Sequence, residues 1–460
     1  MTRRLPTAAI AAAALVSLAA CSSGGGGAST TPSVVAVTTN SNPVSIVISN
    51  QPPAGNPADL KSFQAKLVAF HTKYPNITVT GSEIAWDPQT FAAQLAGGQL
   101  PTVVTVPFTE PQSLITNKQA ADITGALKAV GLTDKLNPSA LKVAQDSSGH
   151  VFGVPVGAYA LGLVYNRDLF TKAGLDPDKP PTTWDEVRAA AKTISEKTGV
   201  AGYSQMTTSN TGGWMLGAGT YSRGGALTNP DGTKAVFDDQ PMKDQLSMLH
   251  DMRWTDKSMG SSFILDVQSI SKDFAAGKVG MFIGTPIIYQ LAVTILGMDK
   301  TSFGMGSMPQ GSTPGGSMSG GAVQFVNPSA TDDQKVAAVK WITFFSLDGQ
   351  LDQATAVADA KVAATAGLPV GLPGLSTLTN VNTDTYLGWV KDQVNVPVKN
   401  FTGYTASVNT IKLNPEPAKK AQDVYAKLDP VVQEVLTKQD ADIPSLLSSA
   451  TTQVNALLGR

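Results

Sequence analysis

Cysteine is almost absent from this chain, which has a single one, Cys21, among its 460 residues. Without a second thiol there is no internal disulfide framework and no thiolate metal site. Histidine is scarce as well, and the three present (His71, His150 and His250) lack the spacing of metal ligands. We therefore expect no bound metal, and a fold that is stabilised by a large hydrophobic core.

The chain also has little charge. Asp, Glu, Lys and Arg make up 15% of the residues, below the ~25% typical of soluble domains, and the formal net charge is −1. Because neither sign is in excess, electrostatic binding to nucleic acid or to an anionic membrane surface is unsupported. No apolar run after Cys21 is long enough to span a bilayer. Residues 21–460 are numerous enough for two lobes, each with its own core.

Familiar motifs of catalysis and cofactor binding are missing too. There is no Walker A loop, no G-x-G-x-x-G after a strand and no G-x-S-x-G turn. Ser269-Ile-Ser-Lys272 matches the S-x-x-K of penicillin-recognising enzymes, but the match is short and precedes a helical pattern, so we attribute it to chance. Asp231, Asp238 and Asp239 are spaced as a turn and a strand, not as a calcium loop. We expect no catalytic residues, no cofactor and no enzymatic activity.

Residues 1–20 have the pattern of an export signal. Two arginines near the start are followed by an apolar run, residues 8–20, that is too short to cross a bilayer. The run ends in Leu18-Ala-Ala-Cys21, which resembles the bacterial lipobox. The resemblance implies that Cys21 is acylated and becomes the first mature residue. The alternative is an ordinary small-residue cleavage site in which the cysteine has no role.

Residues 21–43 are rich in Gly, Ser and Thr, with four consecutive glycines at 24–27. Such a segment cannot bury enough apolar surface to order itself, so we expect a flexible tether. A tether beside a lipid attachment site would let the folded part reach a partner in the membrane.

The folded part is predicted to begin with alternating strands and helices. Short β-branched runs predict strands at 44–48, 77–80 and 102–106. Helical spacing of apolar residues predicts helices at 59–74 and 90–96. This alternation indicates a parallel sheet with right-handed crossovers, and therefore an α/β fold.

Further elements are predicted beyond this region. Residues 184–197 form an amphipathic helix with Thr183 as its N-cap, and residues 229–232 form a turn. Residues 304–321, rich in Gly, Ser, Met and Pro, are expected to be an irregular loop, and residues 330–347 a helix. Residues 418–458 are expected to be helical, with breaks near Pro430 and Pro444.

Four segments follow one another in a recognisable order. The most specific is the run from Gly162 to Pro177 with the Pro-Thr-Thr-Trp-Asp-Glu of residues 181–186. The strand-like residues 274–284, the glycines of Ser319-Gly-Gly321 and the helix at 337–350 come after it. Taken in this order, the segments resemble bacterial extracellular solute-binding proteins of the sugar type that serve ABC importers, the maltose-binding-protein-like family 1 class.

The resemblance implies a two-lobe periplasmic-binding-protein fold of type II, in which each lobe is a mostly parallel sheet flanked by helices and hinge strands join the lobes. We expect crossings near 157–158, near 321 and after 349, with residues 44–157 and 322–352 in lobe 1 and residues 158–321 and 353–460 in lobe 2. A small-molecule ligand would bind between the lobes and close the hinge. The expected role is that of a monomeric binding lipoprotein delivering a carbohydrate to ABC permease subunits at the outer face of the cytoplasmic membrane.

A sugar site needs aromatic rings for the C–H faces of the sugar and polar groups for its hydroxyls. Such groups collect after the carboxyl ends of parallel strands. In lobe 1 this rule selects polar and aromatic residues that follow the predicted strands: Asn50, Gln51, Trp86, Asp87, Phe108 and Glu110. Glu110-Pro111 is equally consistent with a simple helix start, and Trp86 with packing.

The remaining candidate ligand contacts come from the family resemblance. They are residues at the first crossing, in the second lobe and at the glycine crossing: Tyr159, Asn210, Trp214, Tyr289, Gly320, Gly321 and Tyr404, the last paired with Phe401. Maltose-binding relatives have an acidic residue where Tyr159 stands, which argues against maltose itself. The two glycines would let backbone N–H groups approach the ligand. Core packing or a solvent-facing loop is the competing explanation for the aromatic residues.

Two other functions stay open. The ligand could be another polar metabolite such as a glycerophosphodiester, but a phosphate favours Arg or Lys, and the predicted loops offer only Arg223. An exported carbohydrate-active enzyme or a cell-wall adhesion protein is the other alternative, although no catalytic constellation supports it.

Overall fold

The computed structural model of the protein describes residues 42–87, 90–417 and 419–459. The predicted signal peptide, Cys21 and all but the last two residues of the predicted tether lie outside these ranges. Within them the strands are β1 Val44–Ile48, β2 Ile77–Gly81, β3 Val103–Pro107, β4 Gly153–Ala160, β5 Gly162–Asn166, β6 Ala201–Tyr203, β7 Val279–Gly284, β8 Phe303–Gly306, β9 Ser317–Val326 and β10 Leu413–Pro415.

The α-helices alternate with these strands in the first half of the chain and dominate the second half. They are α1 Pro57–Lys73, α2 Phe91–Ala96, α3 Pro111–Thr116, α4 Thr124–Val130, α5 Pro138–Leu141, α6 Arg167–Ala173, α7 Trp184–Thr198, α8 Thr211–Ser222, α9 Gln240–Trp254, α10 Val267–Ala275, α11 Ile287–Tyr289, α12 Asp332–Ile342, α13 Asp348–Leu351, α14 Gln353–Thr365, α15 Asn380–Val390, α16 Thr402–Val408, α17 Ala421–Thr437 and α18 Ile443–Leu458.

The first sheet has the strand order β10-β9-β3-β1-β2, and β4 also pairs with β9. β1 lies between β2 and β3 and is parallel to both, with Val44 opposite Ile77 and Ile48 opposite Val103. The predicted parallel arrangement of the first three strands is therefore confirmed. β9 enters the same sheet antiparallel to β3.

The second sheet has the order β6-β7-β5-β8. β6 and β7 are parallel, whereas β5 is antiparallel to both β7 and β8. Its strands are short and buried, and α7, α8, α9 and α17 supply much of the surrounding apolar core. This sheet and its helices form the second lobe of the α/β fold.

Separate cores accompany the two sheets. One face of the first sheet packs against α1, α4 and α12 around Phe70 and Trp341, and the other face packs around Phe91, Phe108 and Phe325. The second lobe has a larger cluster that includes Trp184, Phe274 and Tyr425. Two sheets with their own cores are what the two-lobe expectation requires. The lobe boundaries assigned from the sequence remain predictions.

The predicted N-terminus of α7 is confirmed in detail. The Thr183 hydroxyl accepts a hydrogen bond from Glu186 N (3.2 Å), and the Glu186 carboxylate accepts one from Thr183 N (3.1 Å). This reciprocal capping box satisfies backbone donors that the helix leaves free. α7 ends at Gly199, whose φ of 73° is a left-handed conformation that favours glycine.

Two predictions about the second half of the chain are wrong. The supposed loop at 304–321 contains the end of β8 and the start of β9, because its small residues are buried between neighbouring strands where larger side chains would not fit. Pro430 does not break the helix: it lies inside α17, whose buried face packs against α8 and offsets one lost backbone hydrogen bond. Pro444 does mark a break, since it opens α18.

β4 and β9 form the connection between the lobes. They pair antiparallel from Gly153–Phe325 to Ala160–Ser319, with a bulge between Pro155 and Gly157. On the other edge of β9, β3 pairs with residues 322–326 and β10 with residues 317–319. β3 and β10 thus meet β9 from opposite ends and leave Gly320 and Gly321 between their carboxyl ends.

Candidate functional site

Tyr159 lies on β4 directly opposite Gly320, so its side chain stands on the same face of the sheet as residue 320. Its hydroxyl donates to Glu416 Oε1 (2.8 Å), and the Tyr425 hydroxyl donates to Glu416 Oε2 (3.1 Å). Burial raises the pKa of Tyr159 and of Tyr425, so both phenols stay protonated donors. A carboxylate held between two phenols therefore closes the gap between β9 and the segment after β10.

Burial also raises the pKa of the Glu416 carboxyl, and the hydrogen bonds from Tyr159 and Tyr425 oppose that shift. A carboxylate oxygen has two lone-pair directions, and the structure gives one tyrosine donor to each oxygen. Glu416 therefore keeps acceptor capacity for a hydroxyl brought into the site.

Trp214 adds a large ring beside Tyr159. The two ring centroids are 6.3 Å apart with an interplanar angle of 89°, an edge-to-face contact. Trp214 lies in the first turn of α8 and is half-buried against the second-lobe core. Its indole Nε1 is buried and has no hydrogen-bond partner among the described residues. We call Tyr159, Trp214, Glu416 and Tyr425 the front site.

The start of α8 is held by a carboxylate from α17. Asp429 accepts hydrogen bonds from Asn210 N (2.7 Å) and Gly213 N (2.8 Å). Asn210 has a φ of 66°, and its side-chain Nδ2 donates to Gln422 Oε1 (3.2 Å). Asn210 is therefore next to the front site, as expected, but its amide is engaged within the protein.

Gly320 and Gly321 do lie at the crossing, but the role expected for them needs correction. A Cβ on Gly320 would overlap the Tyr159 hydroxyl oxygen and lie 2.9 Å from Glu416 Oε1. A Cβ on Gly321 would overlap Gly157 O and lie 2.7 Å from the Phe108 ring. The missing side chains make room for protein atoms, not for a close approach of ligand to the backbone.

The candidate residues after β3 are partly structural. Phe108 is 6% exposed and belongs to the first-lobe core, while its backbone N donates to Gly321 O (3.1 Å). Glu110 immediately precedes α3, as the helix-start alternative predicts. It is half-buried, and burial raises the pKa of its carboxyl, opposed by a hydrogen bond with Thr109 Oγ1 (3.3 Å). Glu110 therefore stays a candidate, whereas Phe108 mainly supports the hinge.

The candidates after β1 and β2 lie at the same end of the first sheet. Gln51 N donates to Ser82 O (2.9 Å), and the exposed Asp87 accepts from Thr90 N (3.0 Å). Trp86 packs on the core cluster that contains Phe108, and its buried indole Nε1 has no partner in the described part of the chain. Trp86 therefore lies on the face of the first sheet that carries Phe108, and the role of these residues as ligand contacts stays a prediction.

Tyr289 and Tyr404 are the two candidates that the structure removes. Tyr289 is 3% exposed, with its ring against Phe303 (centroids 5.2 Å apart) and Phe401 (5.8 Å). Tyr404 is 1% exposed, and its hydroxyl donates to Ala160 O (2.9 Å). Both belong to the second-lobe core, because the aromatic residues around them bury one another. The nearest exposed residue in sequence is Ile287, which is 52% exposed.

Arg223, the only cation that the sequence offered for a phosphate, is directed elsewhere. Its Nε donates to Gln245 Oε1 (2.9 Å), and its guanidinium lies over the Trp184 ring, 5.6 Å from the centroid. It follows the last residue of α8, whereas Trp214 lies near the first. A phosphate at the front site would therefore not reach it.

Glu416 is the main residue that sequence reasoning missed. It follows β10, a strand of three residues whose pattern is too short to recognise. Had the strand been identified, the rule that polar groups collect after strand ends would have selected Glu416. Its tyrosine partners are 257 and 9 residues away in sequence, so no local pattern marks the group.

A cavity of about 680 Å³ lies on the other face of β9. Ser319 lines it, with Phe108, Leu413 and Glu416 on its walls and residues of α5 opposite. Adjacent residues of a strand point to opposite faces, so Ser319 faces away from the side that carries Gly320 and Tyr159. We call it the back cavity. Glu416 stands at the edge shared by the front site and the back cavity.

Within the described ranges, the structure also bears on the sequence features of enzymes, metal sites and membrane spans. Ser269 forms a reciprocal capping box with Asp266 at the start of α10, which accounts for the S-x-x-K match. Among residues 42–87, 90–417 and 419–459, no group of three or more acidic, His or Cys side chains could hold a metal ion. Over the same ranges, the helices are all too short or too polar to cross a bilayer.

The chain is similar in sequence and in fold to several known proteins. UgpB of Escherichia coli K12, an sn-glycerol-3-phosphate-binding periplasmic protein, is 24% identical over 254 residues, 52% of this chain and 56% of that protein. The chain spans about half the length of the curated relatives it matches.

Among solved structures, the cyclic α-maltosyl-1,6-maltose binding protein of Arthrobacter globiformis has a TM-score of 0.67 at 22% identity, covering 91% of this chain and all of that one. UgpB of Mycobacterium tuberculosis, solved with glycerophosphocholine, has a TM-score of 0.65 at 15% identity, covering 91% and 99%. These likenesses show a shared two-lobe fold. The family model for bacterial extracellular solute-binding proteins matches residues 54–352, and the chain therefore belongs to that family.

Proposed function

We propose that this protein is the substrate-binding lipoprotein of an ABC importer and captures a carbohydrate, a mono- or oligosaccharide, between its lobes. The proposal rests on family membership and on one structural observation above all: the Tyr159–Trp214 ring pair stands at the junction of the lobes beside the Glu416 carboxylate. Rings of this kind cover the C–H faces of a sugar, and a carboxylate accepts hydrogen bonds from its hydroxyls.

The position of the front site supports capture by hinge closure. Tyr159 is on β4, one of the two strands that connect the sheets, and Trp214 is at the start of a second-lobe helix. Gln51, Trp86 and Glu110, which follow strands of the first lobe, would supply ligand contacts from that lobe when the hinge closes. A ligand that contacts both sets would favour the closed state and shift the open–closed equilibrium.

A glycerophosphodiester is the second candidate ligand, because UgpB proteins are among the relatives and structural neighbours. Recognition of a phosphate favours an Arg or Lys side chain in the site. Arg223 is engaged by Gln245 and Trp184 on the second-lobe side, which favours an uncharged ligand. A role as an exported enzyme has less support, since the family consists of solute-binding proteins.

The proposed site of action is the outer face of the cytoplasmic membrane, where a lipid on Cys21 would anchor the chain and the glycine-rich tether would let it reach the permease. The mass of the protein extracted from the membrane of its host tests this directly. Loss of residues 1–20 together with a diacylglycerol adduct on Cys21 is the expected result. An unmodified mature N-terminus would contradict anchoring but not solute binding.

The ligand is tested by calorimetric titration of the folded domain with a panel of mono- and oligosaccharides and glycerophosphodiesters, and by mass spectrometry of whatever co-purifies. We expect micromolar or tighter binding of at least one carbohydrate, and no turnover of it. Heat from none of the sugars would overturn the carbohydrate assignment. Hydrolysis of a bound oligosaccharide would support the enzyme alternative.

A further inference from the structure

We infer that the front site excludes anionic ligands, because the protein's own carboxylates occupy the positions at which it would bind a phosphate. The inference deepens the proposed carbohydrate-binding function and rests on it. It concerns three features that lie together at the junction of the lobes: the start of α8, the carboxylate after β10 and the placement of the nearby cations.

The start of α8 would otherwise suit an anion. Backbone N–H groups at a helix N-terminus have no partner within the helix and carry partial positive charge, which makes them a common phosphate site. Here the Asp429 carboxylate accepts from Asn210 N (2.7 Å) and Gly213 N (2.8 Å). The helix end next to Trp214 is thus already bound to an anion that belongs to the protein.

The position of Asp429 depends on the fold rather than on a local cap. It lies 216 residues after Gly213 in the chain and is carried by α17. A Cβ on Gly212 would lie 2.8 Å from Asp429 Oδ1, and one on Gly213 would overlap Tyr425 O. The two glycines before Trp214 therefore allow α17 to approach closely enough for its carboxylate to reach the helix end.

Glu416 adds a second acceptor-only group at the front site. Each of its oxygens already accepts a hydrogen bond from a tyrosine hydroxyl. The remaining lone pairs can accept hydrogen bonds from neutral or cationic donors. A phosphate group is negatively charged at neutral pH and would be repelled by the like charge of the carboxylate. A sugar hydroxyl can donate, so the same carboxylate that disfavours a phosphate favours a carbohydrate.

Three cations near the site in sequence, Arg223, Lys419 and Lys420, are directed away from it. Arg223 follows α8 at its other end, nine residues after Trp214, which corresponds to roughly 13 Å along a helix. Near the carboxylate in sequence, Lys420 Nζ donates to Leu457 O (2.7 Å) and Lys419 packs beside Gly232. The front site and the adjoining start of α8 therefore hold two carboxylates, Glu416 and Asp429, that these cations do not neutralise.

Matched neutral and phosphorylated ligands test the inference. Wild-type protein is titrated calorimetrically with the sugar that the wider panel identifies and with its phosphorylated counterpart, and with two further matched pairs, glucose and glucose 6-phosphate, and glycerol and glycerol 3-phosphate. We expect the neutral member of a pair to bind at least about tenfold more tightly than its phosphorylated counterpart. Tighter binding of an anionic member would overturn the inference and leave the solute-binding role standing. Heat from none of the sugars of the wider panel would overturn the carbohydrate proposal and the inference with it.

An Asp429→Asn variant tests the charge of the resident carboxylate. It removes the charge while keeping the shape of the side chain, so only the repulsion of a phosphorylated ligand is lost. We expect the preference for the neutral member of each pair over its phosphorylated counterpart to narrow at least roughly threefold. Asp423→Asn, an exposed change on the same helix, is the matched control and should behave as wild type.

An unchanged preference for neutral over phosphorylated ligands in Asp429→Asn would contradict the role of Asp429. Should that variant fail to fold by circular dichroism, Glu416→Gln gives the same readout at the second carboxylate. A smaller preference for neutral over phosphorylated ligands in Glu416→Gln supports the exclusion of anions. An unchanged preference overturns the inference.

Discussion

The two faces of β9 at the junction of the lobes are built differently. On the front face, Gly320 lies beneath the Tyr159 hydroxyl and Glu416, with no room for a Cβ. On the back face, the neighbouring Ser319 borders a cavity of about 680 Å³ with largely apolar walls. One strand thus carries a closely packed polar network on one side and open space on the other. Two residues adjacent in sequence, Ser319 and Gly320, therefore differ in the side-chain volume that the structure accepts at each position.

The largest expected effect comes from adding volume on the front face. Gly320→Val would displace the Tyr159 hydroxyl and leave Glu416 Oε1 without its tyrosine donor, so we expect a loss of about 3 kcal/mol in the free energy of unfolding. Ser319→Thr adds one methyl group towards the back cavity and should stay within about 0.5 kcal/mol. Urea unfolding of both variants is the measurement. Equal destabilisation by the two changes would contradict the contrast between the faces.

Removing the front-site ring should weaken ligand binding without affecting the rest of the molecule. Trp214→Ala is expected to lower the affinity for the bound carbohydrate by about thirtyfold, which corresponds to ~2 kcal/mol of lost ring contact. Trp389→Ala, in the small cluster between α14 and α15, is the control and should leave affinity unchanged. Isothermal titration of both variants is decisive, and equal losses would contradict a front-site ligand.

The contribution of the Tyr159 hydroxyl to stability can be measured by removing it while keeping the ring. Tyr159→Phe leaves Glu416 Oε1 without its tyrosine donor and should lower the unfolding free energy by about 1.5 kcal/mol. Tyr289→Phe removes a hydroxyl from a ring packed against Phe303 and Phe401, away from this network. We expect a smaller change there in the same urea assay. The reverse order would show that the Tyr159–Glu416 bond contributes little.

The smallest predicted effect is a pH dependence at Glu416. Burial raises its pKa in the folded state above the ordinary value of 4.5, so the folded protein binds more proton than the unfolded chain between the two values. This contribution to stability is fully present below the ordinary value and is lost as pH rises through the raised one.

Glu416→Gln lacks that titration, so the unfolding free energy of the variant should gain on that of the wild type as pH rises from about 4 to about 7. Urea midpoints measured across this range provide the test. Asp423→Asn again serves as the control for a general charge effect. Parallel pH profiles for wild type and Glu416→Gln would contradict the raised pKa.

Much of the fold was predictable where the pattern is local. The β-branched runs of β1, β2 and β3 and the cap at Thr183 predict the first sheet and α7 from neighbouring residues alone. The start of β9 was not predictable, because its Gly, Ser and Met residues have low strand propensity and are accepted only by the close approach of β4 and β10.

The candidate site was predictable in part. The family resemblance selects Tyr159 and Trp214, and the structure brings their rings together. Tyr289 and Tyr404 were not distinguishable from exposed aromatic residues, since their burial depends on Phe303, Phe401 and the backbone of β4. Glu416 bonds Tyr159 and Asp429 bonds Gly213, each across more than two hundred residues, and such pairings are properties of the tertiary fold.

A crystal structure of the protein with the carbohydrate identified by titration tests the central claim most directly. The account predicts a sugar on the front face of β9, with a C–H face against the Trp214 ring and a hydroxyl within hydrogen-bond distance of Glu416 or Tyr159. A ligand lodged in the back cavity, or on the outer surface of either lobe with the front site empty, would contradict it.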